Sequence, residues 1–357
     1  MTKRKTTIEE MTSQSEEGYD TEEILHSRGG RPTFSPMTNH EVARPEPGIE
    51  KLDDRAWRQR LAGLKVERSA IQARVDVIWS RSLKGPSQVW ALETAIMCTD
   101  LTSLEAPDTA RRVGRLAARA VLPDPADLSC PSVAAVCVWP DLVEAARAAL
   151  DAHPAGRSLS VAAVAGAFPS SRSGVALKAA EVAAAVESGA DEIDIVLDRA
   201  LFLAGRYAEV AAELLALRQA AGTAHLKVIL ETCELGTLDD VARASELALA
   251  CGADFIKTST GKGTAGATPA VIAVMLNAVR RWWQRTGERR GVKAAGGIRT
   301  AKDACRYLLL VHDLAGPEWC TPALWRFGAS ALLDDLCAQR RHINEGRYLG
   351  PQYFPIT

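Results

Sequence analysis

No stretch of the sequence approaches the roughly 20 consecutive apolar residues that a membrane-spanning helix needs, and no apolar leader core follows Met1. Neither membrane insertion nor secretion is expected. The six histidines form no HxxxH or HxH spacing, and the eight cysteines (Cys98, Cys130, Cys137, Cys233, Cys251, Cys305, Cys320 and Cys337) include no CxxC pair. A bound metal is therefore not expected, and neither is a disulfide framework. Scattered thiols in a chain this size read as reduced cysteines of a cytoplasmic protein. The net charge of −1 leaves no excess of either sign, which argues against broad nucleic-acid or anionic-membrane binding. The basic run Arg280-Arg281-Trp282-Trp283-Gln284-Arg285, with Arg289-Arg290, reads instead as a solvated helix face over packed tryptophans. Two phosphate or acyl-transfer motifs are also missing. Ser259-Thr260-Gly261-Lys262 has the S-x-x-K spacing but no accompanying S-D-N or K-T-G. Gly261-Lys262 is no P-loop, because Ile256 stands at its first glycine position.

What is present is length and alternation. A chain of 357 residues accommodates one large α/β barrel and an appendage. Residues 1–50 are polar, Glu/Ser/Thr-rich and then Gly/Pro-bearing, with no apolar periodicity, and are expected to be a disordered tail. Residues 51–94 form a helical extension: Trp57, Leu61, Leu64, Ile71, Val75 and Ile78 recur at spacings of three, four and seven. That stripe predicts one or two helices packed outside the barrel or across a subunit boundary. Residues 95–357 then alternate strand-like and helix-like segments eight times. The strands are expected near 95–101, 134–139, 160–166, 192–197, 225–231, 255–259, 291–297 and 326–330. They are short and apolar on both faces, as strands covered on both sides must be. Eight such units in series predict a closed (β/α)8 TIM barrel.

Two of those strands carry a lysine. Burying an ammonium is costly, so a lysine at Lys257, in Phe255–Ser259, either fills the barrel beside an acid or acts as an amine nucleophile with a lowered pKa. Lys293, in the next strand, would lie roughly 5 Å away if the two strands pair. Two ammoniums that close disfavour each other's protonation, which is the condition an iminium-forming lysine requires.

These segments carry a resemblance. Phe255-Ile256-Lys257-Thr258-Ser259-Thr260-Gly261-Lys262 and Lys293-Ala294-Ala295-Gly296-Gly297-Ile298-Arg299 resemble the signature segments of the deoxyribose-phosphate aldolase family. Asp100-Leu101-Thr102-Ser103-Leu104, Ala190–Val196 and Arg326-Phe327-Gly328-Ala329-Ser330 match in the family's order. The resemblance spans residues 57–357 and is closest to the longer, eukaryote-type members.

The resemblance implies a class I aldolase on a (β/α)8 barrel, cleaving 2-deoxy-D-ribose 5-phosphate reversibly to D-glyceraldehyde 3-phosphate and acetaldehyde with no cofactor. It places the Schiff-base lysine at Lys257, a second lysine at Lys293, and a proton-relaying carboxylate at Asp194. On its own, Asp194 also reads as a salt-bridging barrel carboxylate. The substrate hydroxyls would lie near Asp100 and Thr102, with Cys137 lining the site. Phosphate would fall to Gly261, Lys262, Gly296, Gly297, Gly328 and Ser330. Arg299 either adds charge there or is a surface arginine at a helix start. Ala331 stands where the family commonly has a second hydroxyl. Lys227 and Glu231, on the fifth strand, are candidates for an internal charge network, with Lys227 in a structural role. Whether Tyr348 or Tyr353 enters the site is open. The partners expected are a small phosphorylated sugar and further copies of the chain. Two other functions fit the same residues: a Schiff-base aldolase for another phosphorylated aldehyde, and a silent barrel scaffold.

Overall fold

The computed structural model describes residues 42–346. Most of the tail expected to be disordered, together with Tyr348 and Tyr353, lies outside the described residues. Residues 42–50, which were assigned to that tail, are instead packed on the barrel. Ala43 and Ile49 are buried. The Ala43 amide donates to Asp254 Oδ1 at 2.6 Å and the Glu46 amide to the Ala250 carbonyl at 2.9 Å. Glu46 also pairs with Arg60 and Arg285. Isolated apolar residues in a Pro/Gly context carry no periodicity, so the sequence holds no sign of this docking.

Three helices precede the first strand: α1 (Asp54–Leu61), α2 (Arg68–Trp79) and α3 (Gly85–Met97). Asp53 caps α1 by accepting from the Ala56 amide. The stripe read from the sequence faces inward, and Trp57, Leu61, Val75 and Ile78 are buried in the protein's own core. The first strand was expected from Ala95, but α3 runs on to Met97 and β1 is only Thr99–Thr102. An apolar run that leaves a buried helix for a buried strand has no change of pattern to mark the junction.

The remaining units follow in order: α4 (Ala110–Val121), β2 (Ala135–Val138), α5 (Val143–Asp151), β3 (Ser160–Val164), α6 (Val175–Glu187), β4 (Glu192–Val196), α7 (Arg199–Leu203), α8 (Tyr207–Ala221), β5 (His225–Ile229), α9 (Leu238–Ala250), β6 (Phe255–Lys257), α10 (Pro269–Thr286), β7 (Gly291–Ala295), α11 (Ala301–Leu314), β8 (Trp325–Ala329) and α12 (Leu332–Glu345). The eight strands close a parallel barrel in chain order. Pro269 opens α10 as expected, with Thr268 capping it.

Strand periodicity of two decides what faces where. Ile193, Ile195, Leu226, Val228, Ile256 and Val292 point outward into the layer between sheet and helices. Their alternates Glu192, Asp194, Lys227, Lys257 and Lys293 occupy the barrel interior. Gly291 is required by this packing: a Cβ there would lie 2.2 Å from the Phe255 ring. Two arginines of the basic run stack on indoles of α10, with the Arg285 guanidinium 4.8 Å from Trp282 and that of Arg289, beyond the helix end, 5.2 Å from Trp283. Among the described residues no helix is long and apolar enough to cross a membrane.

Candidate active site

The interior charges sit on neighbouring strands because the register puts them there. Asp194 on β4 is paired with Lys227 on β5, and Lys257, which ends β6, is paired with Lys293 on β7. Lys293 is in turn paired with Arg326 on β8. One carboxylate collects three lysine amines. Asp194 Oδ2 accepts from Lys257 Nζ at 2.8 Å and from Lys293 Nζ at 2.9 Å, and Oδ1 accepts from Lys227 Nζ at 2.9 Å. Lys293 Nζ also lies 2.6 Å from Asp100 Oδ2. Lys227 pairs with Glu192 as well, and Arg326 binds both Asp100 and Glu192.

Seven charged side chains are thus enclosed together. Asp100, Glu192 and Asp194 are acids; Lys227, Lys257, Lys293 and Arg326 are bases. With every group ionised, one positive charge would be unmatched in a closed interior, where each unpaired ion costs several kcal/mol. Partner counts decide which base gives way. Lys227 touches Glu192 and Asp194, with Asp100 at 3.6 Å; Lys293 and Arg326 each touch two carboxylates. Lys257 has Asp194 alone, and shares it.

The proton affinities follow that order. Burial, aided by the neighbouring Lys293 charge, lowers the Lys257 pKa despite Asp194. Burial also opposes protonation of Lys293, but Asp100 and Asp194 outweigh it and raise that pKa. Lys227 is raised against burial by Asp194 and Glu192. Asp194, although buried, is held well below the usual carboxylate range by Lys227, Lys257 and Lys293. With Lys257 a neutral amine, three carboxylates face three cations and the interior is balanced.

Above this cluster opens a cavity of about 240 Å³ at the C-terminal ends of the strands. Lys257 is on its wall together with Thr102, Thr260, Gly261, Lys262, Gly296, Gly297, Arg299, Gly328, Ser330 and Ala331. The loops after β6 and β7 are drawn together at two glycines. A Cβ on Gly266 would lie 2.2 Å from the Gly296 carbonyl oxygen, and the Ala267 amide donates to the Ala295 carbonyl at 3.0 Å. Lys262 Nζ reaches across the mouth to Glu105 Oε1 at 3.2 Å, and Arg299 has no ion-pair partner among the described residues. An anion entering the cavity therefore meets two side-chain cations and a glycine-lined backbone. Among the described residues no cluster of three or more His, Cys, Asp or Glu could hold a metal ion.

The expected residues divide between two levels. Lys257 and the glycine-loop residues line the cavity, with Thr102, whose hydroxyl donates to the Asp100 carbonyl at 2.9 Å. Asp194, Lys293, Asp100 and Cys137 lie beneath, fully buried. Asp100, expected beside the substrate hydroxyls, is held by Arg326 and Lys293 inside the charge cluster. Cys137 packs with Leu104, Ala162 and Val164, and burial raises its thiol pKa. Gly328, expected at the phosphate, also makes room for a lysine: a Cβ there would lie 3.0 Å from Lys293 Cε. Lys227 joins the charge network as expected. Glu231 does not, because β5 ends at Ile229 and its carboxylate turns to Thr260. Sequence reasoning missed Glu192 and Arg326. Each stands at or next to the start of its strand, where a charge carries little signal.

The family model of the DeoC/LacD family aldolases matches residues 94–335. Over 313 residues the chain is 42% identical to the deoxyribose-phosphate aldolase of Mus musculus, covering 85% of this chain and 97% of that one. It is 41% identical to that of Homo sapiens over the same shares. A crystal structure of a putative deoxyribose-phosphate aldolase from Coccidioides immitis superposes with a TM-score of 0.62 at 27% identity, covering 80% of this chain and 98% of that one. Barrel, buried lysine pair and sequence agree, and the chain belongs to the DeoC/LacD aldolase family.

Proposed function

We propose that this protein is a deoxyribose-phosphate aldolase that cleaves 2-deoxy-D-ribose 5-phosphate reversibly through an imine on Lys257. The observation that carries the lysine assignment is that Lys257, alone among the enclosed bases, both has a lowered pKa and lines the cavity. Its neutral amine donates to Asp194 and keeps a lone pair for the C1 aldehyde of the open-chain sugar. Addition gives a carbinolamine, and loss of water gives a protonated imine. That cation draws the electrons of the C2–C3 bond toward nitrogen as the C3 hydroxyl gives up its proton. D-glyceraldehyde 3-phosphate leaves, and a two-carbon enamine remains on Lys257. Protonation at its carbon and hydrolysis release acetaldehyde.

Lys293 and Asp194 sit where proton transfer is needed, on the amine's own hydrogen-bond partner. Their ammonium and carboxylate forms relay protons through a water during dehydration and at the enamine carbon. The phosphate is assigned to Lys262, Arg299, the backbone around Gly261, Gly296 and Gly297, and the Gly328–Ser330 turn, with fixed charge and donors facing it. Ala331 offers no hydroxyl there. We further assign the protein to the cytoplasm, on its eight free cysteines, and to a homo-oligomer.

Incubation with 2-deoxyribose 5-phosphate tests the activity. Acetaldehyde and glyceraldehyde 3-phosphate should appear in equal amounts, and both should be absent with Lys257→Ala. Turnover that survives in Lys257→Ala would remove the mechanism.

A further inference from the structure

Glu231 is a buried carboxylate, 2% exposed, that has no cationic partner among the described residues. Such a group is costly to bury unless its charge is used by hydrogen bonds. Its backbone is also unusual for a non-glycine residue, with φ 49° and ψ 60° in the left-handed region, a conformation that concentrates at functional sites. That backbone places the side chain over the loop that follows β6. There Glu231 Oε2 accepts from both the amide, at 3.2 Å, and the hydroxyl of Thr260. With its proton committed to Glu231, Thr260 Oγ1 can only accept, and it takes the Lys262 amide at 3.0 Å. The other carboxylate oxygen faces the Cys233 thiol at 3.7 Å, and a Cβ on Gly263 would lie 3.4 Å from it. One buried carboxylate therefore fixes the turn Thr260–Gly263, through the amide and the hydroxyl of Thr260.

We propose that Glu231 is a positioning residue for the phosphate end of the substrate, acting through Thr260 on the loop that carries Gly261 and Lys262. This rests on the assignment of that loop to phosphate. Glu231 sets the polarity of the Thr260 hydroxyl, which sets the direction of the Lys262 backbone and hence the reach of its side chain into the cavity. Oriented donors of this kind recognise a dianionic phosphate rather than the hydroxyl of an unphosphorylated sugar.

The test compares 2-deoxyribose 5-phosphate with 2-deoxyribose in the wild type, Glu231→Gln, Thr260→Val, Thr260→Ser and the Glu231→Gln/Thr260→Val double variant. Glu231→Gln and Thr260→Val should each lower the preference for the phosphorylated sugar, as a ratio of kcat/KM, by about tenfold, the scale of one charge-assisted hydrogen bond. The loss should lie in KM rather than kcat. Thr260→Ser should keep the preference, and the double variant should be no worse than the poorer single one. An equal fall on both sugars would mark a purely structural role and overturn the inference. So would an unchanged preference in Glu231→Gln. A wild type with no preference would overturn the phosphate assignment itself, whereas a discriminating wild type with a silent Glu231→Gln overturns this inference alone.

Discussion

Lys257 and Lys293 hold paired positions on adjacent strands and direct both Nζ atoms to one oxygen of Asp194, at 2.8 and 2.9 Å. The two lysines differ in what else they touch, and only Lys257 lines the cavity. Lys293 has Asp100 as a second carboxylate and stays charged, while Lys257 has none and loses its proton first. The opposite pKa shifts of the pair thus follow from partner count.

The acid limb of kcat/KM should report Lys257. Its pKa lies below the ordinary lysine value of 10.5, so activity rises with pH as the amine is freed, at a lower pH than a free lysine would allow. In Lys293→Met two changes act in the same direction: a repelling charge is removed and Asp194 is left to Lys257 more fully. The limb should move to higher pH, and kcat should fall by about 100-fold or more, the scale of a lost proton-transfer group. A pH–rate profile with an unmoved limb would contradict the coupling.

Gly328→Ala places a Cβ 3.0 Å from Lys293 Cε and 3.0 Å from Ala295 Cβ. The lysine stem must shift, so kcat should drop by about tenfold or more, since small misplacement of reacting groups is costly. The melting temperature should fall modestly by calorimetry, with destabilisation of about 1–3 kcal/mol. Wild-type kcat would show that the close approach is inconsequential.

Arg326→Met removes a partner that Asp100 and Glu192 share beneath Lys257 and Lys293. Breaking a buried pair in this way typically costs about 3–5 kcal/mol. Denaturant unfolding should show a loss of that order, with the remaining negative charge raising the Lys257 pKa. Stability within about 0.5 kcal/mol of wild type, the range of an ordinary surface change, would argue against the network.

Acid should unfold the protein through the same cluster. Asp194, Asp100 and Glu192 have folded pKa values below their ordinary values of 3.8 and 4.5, each despite burial and because of the surrounding cations. The unfolded chain then binds more protons than the folded one in acid. The stabilisation is fully present above those ordinary values and is lost as pH falls through them toward the folded ones. Melting temperature should be level near neutrality and decline below about pH 4.5, more shallowly in Asp194→Asn. An equally steep decline in that variant would place the acid sensitivity elsewhere.

The barrel and its lysines were legible because their signals are local and repeated. Strand lengths, apolar runs and the glycines ending α6 and α9 recur unit by unit, and Lys257, Lys293 and Asp194 interrupt strands that have no other reason to carry charge. Glu192 and Arg326 were not legible as partners. Each begins or nearly begins its strand, where charge is unremarkable, and only barrel closure brings β8 and β4 to the same interior. The pairing of Asp100 with Lys293 and Arg326 was not legible either, since it depends on closure of the barrel between β1 and β8. The packing of residues 42–50 depends on Asp254 and the Ala250 carbonyl, some 200 positions away, and no pattern within the segment records it.

The most direct measurement is borohydride reduction in the presence of acetaldehyde, followed by peptide mass mapping. The account predicts one ethyl adduct, on Lys257, absent in Lys257→Ala and suppressed as pH falls well below the Lys257 pKa. An adduct on Lys293 or Lys227, or none on Lys257 in folded protein, would contradict it.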